Sequence, residues 1–296
     1  MREILAFLAC VLIWGTTWYA IEFQVGVVPP AWSVAIRFFL SAVILFVVCA
    51  SRGIRIGYSW RTHVPALGIG LLLFSLNYVM IYYGTLYLTS GLVAVAFSLL
   101  GVFNIINSRL FLKQTLNGVV ILAAATGIVG LALIFSEEIT SFSFDDDGVL
   151  GLAFCVAGTL IASLGNTIAA TPQARKLPLL ALNAWGMAYG TVANVIFALV
   201  HGDPFILADT PVYWVAMMYL SVFGTVIAFT VYLWLINQIG VARAAYVSVV
   251  MPIVALLVST FYEGFEWTTS ALIGVGLIIA GNVITVWRRS KPKAAA

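Results

Sequence analysis

The stretch Pro29-Pro30-Ala31-Trp32-Ser33-Val34-Ala35-Ile36-Arg37-Phe38-Phe39-Leu40-Ser41-Ala42-Val43-Ile44-Leu45-Phe46-Val47-Val48-Cys49-Ala50-Ser51-Arg52 decides the fold. From Ala31 to Ala50 it is long and apolar enough to cross the ~30 Å hydrocarbon core of a bilayer, which takes ~20 helical residues. Pro29-Pro30 opens it where a missing N–H costs nothing, and Arg52 closes it. Only Arg37 interrupts it. The same reading repeats along the chain. Apolar segments lie at 3–22, 31–50, 64–84, 91–110, 117–135, 148–169, 178–200, 212–236, 242–262 and 269–287. The linkers are short and hold Gly, Pro, Ser or Asp. Of 296 residues, 63% are hydrophobic and 8% charged, against about 25% charged in a soluble domain. The expectation is an all-α membrane protein of ten transmembrane helices with almost no extramembrane domain. The first apolar run continues through Trp14, Trp18 and Tyr19 with no small-residue cleavage site, so it reads as a spanning helix rather than a signal peptide.

Charge fixes the orientation. There are fourteen Lys and Arg residues; with Arg37 set aside, the other thirteen fall on one side of the membrane. Arg52, Arg55 and Arg61 sit in the 2–3 loop, Arg109 and Lys113 at the 4–5 turn, and Arg175 and Lys176 in the 6–7 loop. Arg243 is in the 8–9 turn, and Arg288, Arg289, Lys291 and Lys293 are in the tail. Of the eleven acids, all but Glu3 fall on the opposite side: Glu22, Glu137, Glu138, Asp145, Asp146, Asp147, Asp203, Asp209, Glu263 and Glu266. The positive-inside rule then places both termini in the cytoplasm, in the inner (plasma) membrane of a cell.

Five segments precede the acidic linker and five follow it, which divides the chain into repeats at 1–140 and 148–290. The segment from Tyr83 to Ala94 can be laid on Trp234 to Ala245. Similar offsets set Gly101 on Pro252, and Trp14-Gly15-Thr16-Thr17 on Ser163-Leu164-Gly165-Asn166. Five is odd, so the halves enter the membrane from opposite sides. Inverted repeats of this kind belong to secondary transporters, with the site between the repeats near midplane.

Several features together resemble the drug/metabolite transporter superfamily, EamA type, over nearly the whole length. They are Trp14-Gly15 in the first segment, Arg37 in the second, Ser248-Val249-Val250-Met251-Pro252 in the ninth, and the Glu266-Trp267-Thr268 step into the tenth. Gly101 departs from the family's frequent proline, and Lys113-Gln114-Thr115 replaces an acidic turn. By general layout the chain resembles the YddG-type amino-acid exporters. The resemblance implies export of small metabolites through a central cavity. Segments 1, 3, 4, 6, 8 and 9 would line it, with 5 and 10 peripheral.

The candidate lining follows from those segments. Trp14 and Thr17, and Ser163 and Asn166, mix polar and apolar character at i, i+3 spacing. Such groups either bond across helices or line a wet cavity. Asn77, Tyr78 and Tyr82 lie in the third segment, with Tyr78 and Tyr82 on one face. Phe97 and Ser98 lie in the fourth, Phe229 and Tyr232 in the eighth, and Tyr246 and Ser248 in the ninth. The aromatic residues would form a wall for amphipathic substrates, or pack ordinarily. Trp60 and Tyr87 read as interfacial belt residues. Gly15, Gly101, Gly165 and Pro252 are either gate hinges or tolerated kinks. Ala123-x-x-x-Gly127 and Gly276-x-x-x-Ala280 offer small faces for close packing of the fifth and tenth segments.

Arg37 lies seven residues inside its helix, roughly 10 Å deep at 1.5 Å per residue, where a charge requires a partner or water. It would either bind a substrate carboxylate or serve as a structural or gating charge. Its place on a segment outside the expected wall favours the second reading, with Glu22 or backbone carbonyls as partner.

Several chemistries lack their residues. No acid lies deep in any segment, so the expectation is facilitated transport, or weak coupling through Glu22. No phosphate-binding Gly-x-x-x-x-Gly-Lys-Ser/Thr loop exists. No paired Asp, Ser-His set or His-Glu-x-x-His supplies an intramembrane enzyme, so no catalytic residue, metal ligand or cofactor is assigned. Cys10, Cys49 and Cys155 sit in apolar runs as small core residues. No basic stripe suits a nucleic acid. A pore would repeat one lining element around an axis, which two inverted halves do not. The expected partners are a small-molecule substrate and the bilayer; the oligomeric state stays open, and a monomer is compatible.

Overall fold

The computed structural model describes residues 1–113, 118–134, 147–239 and 247–289. Every element among them is helical. Helix α1 spans Arg2–Glu22 and α2 spans Pro30–Ser51, with Pro30 at its first position as the sequence predicts. Helix α3 (Trp60–Thr85) and α4 (Ser90–Leu112) follow, then α5 (Gly118–Ile134), α6 (Asp147–Ala169) and α7 (Leu179–His201). Helix α8 begins as Pro211–Met218 and ends as Ala228–Ile239; α9 is Val247–Tyr262 and α10 is Thr269–Arg289. Seven of these carry stretches long and apolar enough to cross a membrane, and three shorter apolar stretches lie at Ala125–Ile134, Val250–Tyr262 and Thr269–Gly281. Side chains such as Phe39, Val47, Val192, Ile196, Val215 and Leu272 point outward and are exposed. Apolar exposure on this scale suits lipid, not water.

Two helices are locally unwound by π-helical stretches: Leu72–Leu76 in α3 and Tyr219–Ile227 in α8. A π turn disturbs the regular ladder, and in hydrocarbon every carbonyl that loses a backbone partner needs another. Side chains supply them. Asn77 Nδ2 donates to Leu73 O (3.2 Å) and Asn194 Nδ2 to Phe74 O (3.1 Å). In α8, Thr225 donates to Leu220 O (2.9 Å), Ser41 to Ser221 O (3.3 Å) and Trp14 Nε1 to Gly224 O (3.0 Å).

The packing partners are ordered. Helix α1 packs on α8 and α9, while α6 packs on α3 and α4. Helices α2 and α7 pair, as do α5 and α10, and the first part of α4 (Ser90–Phe97) meets α9. The α5–α10 crossing is tight, but not at the small residues the sequence suggested. A Cβ on Gly130 would lie 2.6 Å from Gly274 O, and one on Gly274 would lie 2.5 Å from Gly130 O. Gly276 has open space, and Gly127 meets only Val102 at ordinary distance.

The four helix-softening residues sit as follows. Gly15 and Gly165 lie in unbroken helix, each filled against a neighbour: a Cβ there would fall 2.6 Å from Val254 Cβ and 2.9 Å from Leu73 Cβ. Pro252 sits inside unbroken α9. The break in α4 falls at Ser98–Leu99, before Gly101, which belongs to the following helix Leu100–Leu112. The carboxylate of Glu263, just past the C-terminal end of α9, accepts from Ser90 N (3.1 Å) and Ser90 Oγ (2.7 Å). It satisfies the N-terminus of α4, where unpaired N–H groups and the helix dipole favour an anion.

Candidate functional site

Three groups of the expected residues are brought together, and each is positioned by a different helix pair. The first is aromatic and joins α1 to α8. The Trp14 ring meets Phe229 at 5.4 Å and Tyr232 at 5.1 Å, both edge-on. Its N–H ends on Gly224 O, in the π stretch. Thr17 turns back to Trp14 O (2.7 Å), while Thr16 bonds the Tyr219 hydroxyl at 2.6 Å. The rings of Trp14, Phe229 and Tyr232 stay half-buried.

The second group is amide-rich and joins α4 to α6. Asn107 Nδ2 donates to Ser163 Oγ at 2.9 Å, and Asn166 Nδ2 reaches Asn104 Oδ1 at 3.5 Å. Sequence reading singled out Ser163 and Asn166 but missed Asn104 and Asn107. Their i, i+3 spacing, the same as that of Ser163 and Asn166, was the available signal.

The third group surrounds Arg37, which is 3% exposed. Ser33, Arg37 and Ser41 form a stripe at i, i+4, i+8 of α2. Ser33 meets the Tyr213 hydroxyl (2.9 Å), and Ser41 and Ser221 both donate to Arg37 O, at 2.9 and 3.3 Å. The backbone of Arg37 is thereby held against α8. Its guanidinium lies over the Tyr78 ring, 4.8 Å from the centroid. Its Nη2 lies 3.8 Å from where a Cβ on Gly224 would be, and the same point is 2.7 Å from Thr17 Cγ2. The side chain therefore crosses from α2 to the place where α1, α3 and α8 meet. No ion pair joins it to Glu22 among the described residues; the groups beside it include the Tyr78 ring and the Tyr82 hydroxyl.

Tyr78 and Tyr82 both lie beside Arg37 but differ in burial and partners. Tyr78 is half-buried and covers Arg37, whereas Tyr82 is fully buried and donates to Gln24 Oε1 at 2.6 Å. Gln24 is itself fully buried and went unnoticed in the sequence because it stands in a linker. The Phe97 ring lies 5.1 Å from that of Trp18, tilted by 54°, and Ser98 follows it at the α4 break. Trp18 Nε1, Asn77 Oδ1, Ser98 Oγ and Arg37 Nε and Nη1 are buried and make no hydrogen bond among the described residues. They come from α1, α3, α4 and α2. Tyr246 and the side chain of Ser248 lie outside the described residues, as do Arg243 and most of the acidic linker. Among the described residues no group of His, Cys, Asp and Glu could hold a metal ion.

With every described element helical and seven stretches long and apolar enough to span, the protein is a multi-pass membrane protein. The EamA-like transporter family model matches residues 1–136 and again 149–287, and the chain belongs to that family. It is 24% identical over 294 residues to the uncharacterized transporter YoaV of Bacillus subtilis, covering 98% of this chain and 99% of that one. It is 25% identical over 301 residues to the uncharacterized inner membrane transporter YedA of Escherichia coli K12, with 94% and 89% covered. Protein PagO of Salmonella typhimurium is 22% identical over 299 residues. A solved crystal structure superposes with a TM-score of 0.68 at 17% identity, covering 98% of this chain and 99% of that one; that likeness concerns the fold.

Proposed function

We propose that this protein is a secondary carrier of the inner membrane that exports small amphipathic metabolites by alternating access. Neutral and aromatic amino acids are the leading substrate class. The chain would cross the membrane ten times, as inverted repeats 1–140 and 148–290, with both termini in the cytoplasm. The observation that carries this reading is a symmetry of packing. Exchanging each helix for the one five places along turns the α1 contacts with α8 and α9 into the α6 contacts with α3 and α4. The same exchange maps α2–α7 and α5–α10 onto themselves and sets the π stretch of α3 on that of α8. Two halves related in this way can rock about a shared site. Half-buried Trp14, Tyr78, Phe97, Ser98, Asn166, Phe229 and Tyr232 would line it, with no covalent chemistry and no cofactor.

Purified protein in liposomes loaded with a neutral or aromatic amino acid should catalyse saturable, competitive counterflow of the labelled compound. Flux that rises linearly with concentration and shows no counterflow would indicate a pore instead. A pH gradient imposed without a substrate gradient should drive no accumulation; accumulation would overturn facilitated transport while leaving the carrier in place.

A further inference from the structure

We infer that Arg37 is the anchor for a carboxylate, so that the carried molecules are carboxylates on an apolar or aromatic body. This deepens the carrier reading and rests on it. The first observation is an unmet charge. A guanidinium offers five N–H donors in a planar fork matched to a carboxylate. Here Nε and Nη1 are buried without an acceptor, and no acid pairs with the group among the described residues. The Tyr78 face beneath it offers a cation–π contact but takes no N–H, and the Tyr82 hydroxyl beside it, which donates to Gln24, leaves Nε and Nη1 unmet. An unpaired buried cation is costly, and an anionic ligand is what removes that cost.

The second observation is placement. Although α2 stands apart from the expected wall, Arg37 Nη2 ends 3.8 Å from the point a Cβ on Gly224 of α8 would occupy, a point 2.7 Å from Thr17 Cγ2 of α1. Gly224 lies in the π stretch and has no side chain to block it. The third is rigidity: Ser41 and Ser221 hold the Arg37 carbonyl from two helices. A structural ion pair would need a partner, whereas an anchor must be held in position with its donors free. The half-buried rings of Trp14 and Phe97 supply apolar surface on the neighbouring helices.

The test compares four compounds of one shape in liposomes: phenylalanine, 3-phenylpropionate, phenylalanine amide and phenethylamine. Phenylalanine and phenylpropionate separate a zwitterionic carboxylate from a simple anion. Wild type should carry one or both at least ~10-fold better than the amide and amine, the loss expected when a charge-assisted pair is absent. In Arg37→Gln that preference should vanish, read as the ratio of carboxylate to amide flux falling to about one. Arg37→Lys should keep the preference at reduced affinity, which guards against misreading a folding defect. Carboxylate preference persisting in Arg37→Gln overturns the anchor, as does wild type carrying the amide and amine alone; both leave the carrier standing. No saturable flux of any neutral or aromatic amino acid, their deaminated acids or their amides overturns the carrier reading and the anchor with it.

Discussion

Trp14–Thr17 of α1 and Ser163–Asn166 of α6 align in the sequence, yet they engage their neighbours differently. In α1 the polar groups end on fixed acceptors: Trp14 on the Gly224 carbonyl and Thr17 on the Trp14 carbonyl. In α6 they meet other side chains, Asn107 at Ser163 and Asn104 at Asn166, the latter at 3.5 Å. A bond to backbone ties one helix to another at a set height. A contact between amides can exchange partners, because each amide both donates and accepts. The α1–α8 seam is therefore suited to move as a unit, and the α4–α6 seam to loosen or admit a ligand.

The difference can be broken at its strongest point first. Trp14→Ala removes two ring contacts and leaves Gly224 O without its donor. It should cost ~3–5 kcal/mol, the range for deleting a packed aromatic side chain, read as a fall in Tm in detergent. If it melts like wild type, α1 is not tied to α8 through this residue. Asn107→Ala should cost ~1 kcal/mol, in line with interhelical hydrogen bonds inside membranes. A loss as large as that of Trp14→Ala would erase the distinction between the seams. Asn166→Ala gives up only a long contact, and stability should fall by less than the ~0.6 kcal/mol typical of such bonds. Its counterflow rate should change severalfold, since the residue is half-buried on the expected wall. Unchanged transport would remove Asn166 from that wall.

Much of the helical framework could be read from apolar length, and Pro29-Pro30 marked the start of α2 correctly. Three features could not. The π stretches carry no composition of their own: Leu72–Leu76 and Tyr219–Ile227 look like ordinary apolar helix, and only the side chains bonded to their carbonyls reveal them. The residues of the α5–α10 crossing went unassigned because spacing shows that two small residues share a face, not which neighbour that face meets. Gly130 and Gly274 make that contact. Arg37 was assigned by the position of its helix, but a long side chain can leave its own helix and end among three others. The stripe Ser33, Arg37, Ser41 was the available hint, since only a polar neighbour would reward three such residues on one face.

The π stretch in α3 also sets the angular phase of that helix. Each π turn takes up about one residue more than an α turn, and one residue is worth ~100° of rotation. Trp60–Leu71 and Asn77–Thr85 are thus aimed by separate clocks, the first chiefly at α7 and the second chiefly at α6. Deleting one residue within Leu72–Leu76 would put both on the same clock. Either Gly70 would turn from its close approach to Gly190, or Tyr78 would turn off Arg37.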